Sequence, residues 1–425
     1  MGQSDEAFKS AVLEYKYSSP TLSILERVYL NDMWASVAEI YPRWLAPNLI
    51  TLGGCCCILV MYALTLVYSP ELEGDMERWQ YGLAAVLFYT YQTLDGTDGK
   101  QARRTGSGSA LGELMDHGVD ACVTTFLTLT VSDGLGYGIL SFWPWMFVLV
   151  GTLSFYLSNM TLVHNGRQFF FNLDVMEVQT LMIVSLVMVA VLGTDVATTW
   201  KFPVPAFLQT FETDLGGLLA QHEKVDFTRG FLVLREVVSF AGLVGVAYNF
   251  PQYVYGSLRP YLLKAENQPE HVKKGVTGTG ILNWLHHMIV IVSFVTLGCA
   301  SVFFGTRLKD PLRASSAMRS FSFVYAFCFG DLMDRVLLMR VARVKLPLIP
   351  ISMVPVAVFT LLAAYDEKML ALEADIPILD SAKWWRCLVA VSFVIHQSFF
   401  ATSVVRLANA LGIHPFKIKY NTKQD

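Results

Sequence analysis

Charged side chains are scarce in this 425-residue chain, at 16% of its residues against 54% apolar ones, and its mean hydropathy is +0.45. A soluble domain carries about a quarter charged residues, so composition excludes an ordinary water-soluble protein and indicates a polytopic membrane protein. Neither sign of charge dominates: 32 Lys and Arg stand against 35 Asp and Glu, a net charge of −3 that gives no hint of a nucleic-acid partner. The 7 cysteines show no spacing of a disulfide framework or metal knot. Three of them, Cys55, Cys56 and Cys57, sit together in an apolar run and read as lipid- or helix-facing filler. No internal repeat is visible, which removes support for an inverted-repeat transporter. The first forty or so residues are polar, so no cleavable signal peptide is expected and the first span is expected to act as an uncleaved anchor.

What the chain has instead is long hydrophobic runs. A bilayer needs ~20 apolar residues per helix, and runs of about that length fall near 49–68, 80–97, 112–132, 139–162, 175–193, 230–252, 281–304, 317–339, 346–365 and 384–410. The expected fold is an all-α integral membrane protein of about ten transmembrane helices. Ahead of them, Val28 to Leu45 mixes apolar and polar residues with Trp34, Tyr41 and Trp44, and reads as an amphipathic helix in the membrane interface, with a soluble capping helix as the alternative. The chain is expected to divide into a cytosolic segment with that helix (1–48), a membrane region (49–250), C-terminal transmembrane helices (251–410) and a cytosolic tail (411–425). An even number of spans places Lys273, Lys274, Arg340, Arg343, Lys345, Lys417, Lys419 and Lys423 on the side of Arg103 and Arg104, which the positive-inside rule makes cytosolic; Arg307, Lys309 and Arg313 fall opposite. Thr194 to Phe227 is then a lumenal loop.

Between the second and third runs stands DGTDGKQARRTGSGSALGELMDHGVD, from Asp95 to Asp120, with the pattern D-x2-D-G-x2-A-R-x8-G-x3-D-x3-D. Ionised carboxylates at membrane depth are costly unless paired, solvated or bound to a cation. Asp95 and Asp98 close one helical run, where the helix dipole disfavours anions. Asp116 and Asp120, four apart, share a face of the next. A Gly/Ser-rich turn from Thr105 to Ser109 could bring all four together as an all-oxygen site for Mg2+ or Mn2+ rather than zinc. Two such ions can clamp a phosphoryl group undergoing in-line displacement. A solvated loop with capping acids would account for Asp95 or Asp98 singly, but not for Asp120.

Arg103 suits bidentate phosphate binding, while Lys100 and Arg104 read better as anchors at the cytoplasmic face. Gly99 and Gly112 would let backbone approach a nucleotide closely. Glu113 and His117 form a second i, i+4 pair, and His117 is the preferred proton acceptor, its basicity raised by a neighbouring carboxylate. Asp120 is the rival base, disfavoured because bound cations would lower its basicity. Elsewhere, Arg235, Glu236, Asp331, Asp334 and Arg335 fall in or near expected spans; Arg235 beside Glu236, and Asp331 four before Arg335, read as internal ion pairs, with substrate contact as the other possibility. Glu177 could face a cationic headgroup, although its place at a helix start would explain it equally.

The string resembles the motif of the CDP-alcohol phosphotransferases, and DGKQARRT followed by GELMDHGVD is similar to the choline/ethanolamine phosphotransferase branch in particular. Trp44 to Leu52, WLAPNLITL, resembles the APNxITL stretch that precedes the first span there. The resemblance covers about the first third of the chain. It implies that Asp95, Asp98, Asp116 and Asp120 hold two divalent cations, that Arg103 and Asn48 help bind the CDP-alcohol, and that His117 takes the proton with support from Glu113. Asn48 could instead cap the helix it precedes. The implied reaction transfers phosphocholine or phosphoethanolamine from CDP-choline or CDP-ethanolamine to diacylglycerol in a membrane, with endoplasmic reticulum (or Golgi) location and a homodimer as further expectations. A family member using inositol, glycerol phosphate or a sphingolipid base is the nearest alternative, and a divalent-cation transporter a more distant one.

Overall fold

The computed structural model describes residues 4–15, 18, 20–171, 174–203, 231–263, 280–308, 310–371 and 381–418. Lys273, Lys274, Lys309, Lys419 and Lys423, and the expected lumenal loop beyond Pro203, lie outside the described residues. Helix dominates: α1 (Asp5–Leu13), a π-helical turn (Glu26–Leu30) running into α2 (Asn31–Ile40), then α3 (Pro47–Tyr68), α4 (Arg78–Thr105), α5 (Ala110–Gly134), α6 (Phe142–Asn165) and α7 (Val175–Leu192). A short α8 (Val196–Thr199) leads to a two-stranded antiparallel ribbon, β1 (Lys201–Pro203) and β2 (Phe231–Val233), in which Phe202 pairs with Leu232. The rest is α9 (Leu234–Leu262), α10 (Ile281–Gly305), α11 (Pro311–Ala342), α12 (Met353–Ala371) and α13 (Ser381–Leu411).

Each apolar run singled out in the sequence coincides with a helix. Among the described residues, 5 are long and apolar enough to cross a membrane by length and composition: α3, α6, α7, α10 and α13. Three of the others carry polar cargo, and α12 is apolar but shorter over its described residues. The end of α4 holds DGTDGKQARR, α5 opens with its acids, and α11 holds Asp331, Asp334 and Arg335.

The packing is not a simple hairpin of the two motif helices. α4 and α5 make few direct contacts, and α3 packs along both, so the motif ends approach each other across the start of α3. Local signals set the turn between them. Gly106 ends α4 in the left-handed region (φ 63°), with Ser107 N–H returning to Ala102 O, and Ser109 caps α5 by accepting from Gly112 N–H at 3.2 Å. At the far end of α5, buried Asp133 accepts from Gly74 N–H, the Ser69 hydroxyl and the Tyr81 hydroxyl, which ties that end to the α3–α4 connection. α5 also packs on α11, α11 on α13, and α1 on α13.

The segment expected to be one interfacial helix is split between the π-turn and α2. Trp34 and Ala38 of α2 are buried against α4, whereas Val28, Tyr29, Ile40 and Trp44 are exposed. Such an element has one face on protein and an apolar edge left outward.

Candidate active site

Asp95, Asp116 and Asp120 are the one group of potential metal ligands found among the described residues, each offering a carboxylate oxygen within 4.8 Å of the others. They line a cavity of about 1060 Å³ together with Asp98, Asn48, Gly99, Arg103, Gly112, Glu113 and His117, so every site residue expected from the sequence faces one chamber. Oxygen-only donors at this separation suit a hard divalent cation. Asp98 stands beside this trio, buried, and accepts from the Thr51 hydroxyl. Asp120 accepts from the Tyr91 hydroxyl at 2.7 Å. These two hydroxyls orient carboxylates from the protein side and leave the cavity side to a ligand.

Glu113 is held from two directions. Its Oε1 accepts from Arg340 Nε at 2.8 Å, and its Oε2 from the Tyr15 hydroxyl, so the segment after α1 and the C-terminal end of α11 converge on the first turn of α5. His117 follows one turn later, partly buried, its ring 6.4 Å from that of Phe155. Arg103 is exposed on the cavity wall. A side chain at Gly99 would point at the Arg103 guanidinium, and one at Gly112 would reach only ordinary contact with Ser109 and Asn48, so both glycines present open backbone to the chamber.

Asn48 does not cap α3. Ala46 takes that position with Pro47 as first helical residue, and the Asn48 amide donates instead to Pro415 O at 2.7 Å. Through this bond the segment after α13 lies over the cavity, which His414, Lys417 and Ile418 also line. Lys100 and Arg104 act as clamps on α2: Lys100 donates to Asn31 Oδ1 at 2.7 Å, and Arg104 donates to Tyr41 O at 2.7 Å and pairs with Glu39 at 3.3 Å.

The remaining charges divide. Asp331 and Arg335 form the internal ion pair expected, with Nε and Nη2 2.7 and 2.9 Å from the two carboxylate oxygens. Asp334 lies 3.3 Å from His396 Nε2, a partner on α13 that no sequence pattern linked to it. Arg235 donates to Gly136 O, while Glu236 accepts from Val233 N–H at the start of α9. Glu177 accepts from Asp174 N–H at 2.9 Å and Leu25 N–H at 2.8 Å, so one oxygen caps the α7 start and the other holds the backbone just before the π-turn.

Sequence reasoning missed Glu26, Trp34, Tyr91, Thr51, Tyr15 and Arg340 as parts or supports of this site. Thr51 stood in the quoted WLAPNLITL stretch, one turn after Asn48, and Arg340 had been seen only as a sidedness cation. Glu26 lines the cavity and is itself buried. Burial pushes its pKa above the ordinary carboxylate value, against hydrogen bonds from Ser23 that lower it.

Residues 44–213 match the family model described as CDP-alcohol phosphatidyltransferase. A protein of Arabidopsis thaliana named choline/ethanolaminephosphotransferase 1 is 28% identical over 429 residues, covering 96% of both chains. Cholinephosphotransferase 1 of Saccharomyces cerevisiae is 27% identical over 96% of this chain and 95% of its own. Human cholinephosphotransferase 1 is 35% identical over 192 residues, covering 45% of this chain and 46% of its own. The matched segment contains the whole aspartate motif, and the similarity to the plant and yeast proteins runs from end to end, so the chain is similar to the CDP-alcohol phosphatidyltransferases over the segment that carries the motif and to choline/ethanolaminephosphotransferases along its length.

Proposed function

We propose that the chain transfers phosphocholine, phosphoethanolamine or both from the CDP-alcohol to diacylglycerol, releasing CMP and forming phosphatidylcholine or phosphatidylethanolamine. The observation that carries this reading is one cavity holding the carboxylate trio, Asp98, Arg103 and His117 together, walled also by Leu162, Phe170 and Met176. The names of the similar plant, yeast and human proteins support the choice of alcohol.

In this reading Asp95, Asp98, Asp116 and Asp120 hold two divalent cations, Mg2+ or Mn2+, which would supply charge neutralisation at the transferring phosphoryl group. Arg103 and the open backbone of Gly99 and Gly112 receive the diphosphate, and Asn48 borders the nucleotide. His117 takes the proton of the lipid hydroxyl, whose oxygen forms the new bond to the β-phosphorus as the bond to the CMP oxygen breaks. Glu113, fixed by Arg340 and Tyr15, positions the helical turn that carries His117.

The reading extends to ten spanning helices, a catalytic unit at 49–250 supported by the helices of 251–410, an endoplasmic-reticulum membrane with the site toward the cytosol, and a homodimer. Cation placement supports the orientation: Arg340, Arg343 and Lys417 lie at the motif end, bonded to Glu113 and Glu14 or lining the cavity.

The test is a paired assay on purified protein in detergent with diacylglycerol and Mg2+ or Mn2+, offering CDP-choline and CDP-ethanolamine separately. Release of CMP with formation of the matching phospholipid is expected. A protein that binds CDP yet turns over neither donor would overturn the assignment and direct the search to another acceptor.

A further inference from the structure

A second cavity, of about 520 Å³, lies where α3, α11 and α13 meet at the end away from the aspartates. Its Arg319 stands on the same helix as Arg340, the residue bonded to Glu113. At 1.5 Å per residue the two lie about 30 Å apart along the helix, the thickness of a bilayer's hydrocarbon core. The groove is therefore at the opposite membrane surface from the motif. Leu66, Phe323 and Val389 form its apolar wall, and Arg319 and Arg386 its charged one.

The charges do not cancel. Arg319 is paired with Glu71, whereas Arg386 is exposed and has no ion pair among the described residues. Among the described residues that line the groove, two guanidiniums and one carboxylate leave a net charge of about +1. A cationic residue at a membrane surface is ordinarily just an anchor. Here the free guanidinium borders a cavity whose other wall is apolar, and one of its helices, α13, is a membrane-length apolar helix with Phe393 and Val394 exposed on it. A phosphodiester carries one negative charge and an attached acyl body, which matches the groove in charge and in polarity; inorganic phosphate carries more charge and no apolar part.

We propose that this groove binds the phosphodiester of a membrane phospholipid from the leaflet opposite the active site. Arg386, helped by Arg319, holds the phosphate, and the upper acyl chain lies on Phe323 and Val389. The groove shares no lining residue with the chamber that holds the aspartates.

The experiment reconstitutes the full chain in phosphatidylcholine vesicles with a trace of phospholipid carrying a photoactivatable group near the top of one acyl chain. After illumination, labelled peptides are mapped by mass spectrometry. Label on the Phe323 and Val389 peptides is expected in the wild type and should fall about tenfold in Arg386→Gln, the loss that follows removal of one charge-assisted hydrogen bond. Label at lipid-exposed Leu59 and Val60 of α3, and turnover, should stay unchanged, which also reports that the variant is folded. Excess inorganic phosphate should not compete. Equal groove labelling in wild type and Arg386→Gln would overturn the proposal, and so would displacement of the label by inorganic phosphate, which would mark a soluble-anion site.

Discussion

Asp95, Asp116 and Asp120 converge from two helices on one point, with a carboxylate oxygen of each within 4.8 Å of the others. Carboxylates this close repel one another unless a proton or a cation intervenes. Asp95→Asn should therefore abolish transfer while leaving insertion and expression intact, and a chelator should do the same to the wild type reversibly. Appreciable turnover of the purified Asp95→Asn protein, compared with wild type at equal amounts, would sink the metal assignment. Glu113 poses a different question, because it is both paired and placed one turn before His117. Breaking a buried ion pair from one side costs about 3–5 kcal/mol. Glu113→Gln should thus lower both thermal stability and kcat, whereas adding Arg340→Met should recover stability but not kcat if Glu113 positions the His117 turn. Recovery of both would reduce Glu113 to a structural partner of Arg340.

At the scale of the element, the informative contact is α2 on α4. A Cβ at Gly96 would overlap the Trp34 ring, so this glycine lets the indole lie directly on the motif helix between Asp95 and Asp98. Gly96→Ala should destabilise by about 1–3 kcal/mol through overpacking and displace the aspartates on either side. Pairing it with Trp34→Leu should restore melting temperature and part of the activity; if the double variant is no better than the single one, the loss comes from something other than this clash. The sequence contained the glycine and the tryptophan, but their meeting was not legible, since the two stand far apart and each has a commonplace explanation alone. The turn between α4 and α5 was legible because Gly106 and Ser109 act on their own neighbours. The wedge of α3 between those helices was not, because apolar runs state how long a helix is and not which helix it packs against.

Over the whole molecule, α1 and the described segment after α13 both lie on the motif side. α1 reaches α13 through Asp5 and Arg406, Tyr15 reaches Glu113, and the segment after α13 covers the cavity through Pro415 and Asn48. Opposite lie Arg319, Glu71 and the start of α11. In a cysteine-free background, Gly108→Cys, at an open position in the motif turn, and Leu312→Cys, exposed at the start of α11, should react with an impermeant maleimide from opposite faces of sealed vesicles. Reaction of both from one face would overturn the orientation argued from the cations.

By itself the sequence determined the class of protein and the spacing of the motif residues. Hydrophobic runs of bilayer length are a local property of consecutive residues, and a motif within two helical ends and their turn sets its own spacing through helical periodicity. The four aspartates, Arg103, His117 and Glu113 were readable for that reason. Tertiary structure alone decided which groups hold them: Thr51 on Asp98, Tyr91 on Asp120, Tyr15 and Arg340 on Glu113, His396 beside Asp334. Those partners come from other helices, and helix packing is chosen by shape across the bundle rather than by any pattern along the chain.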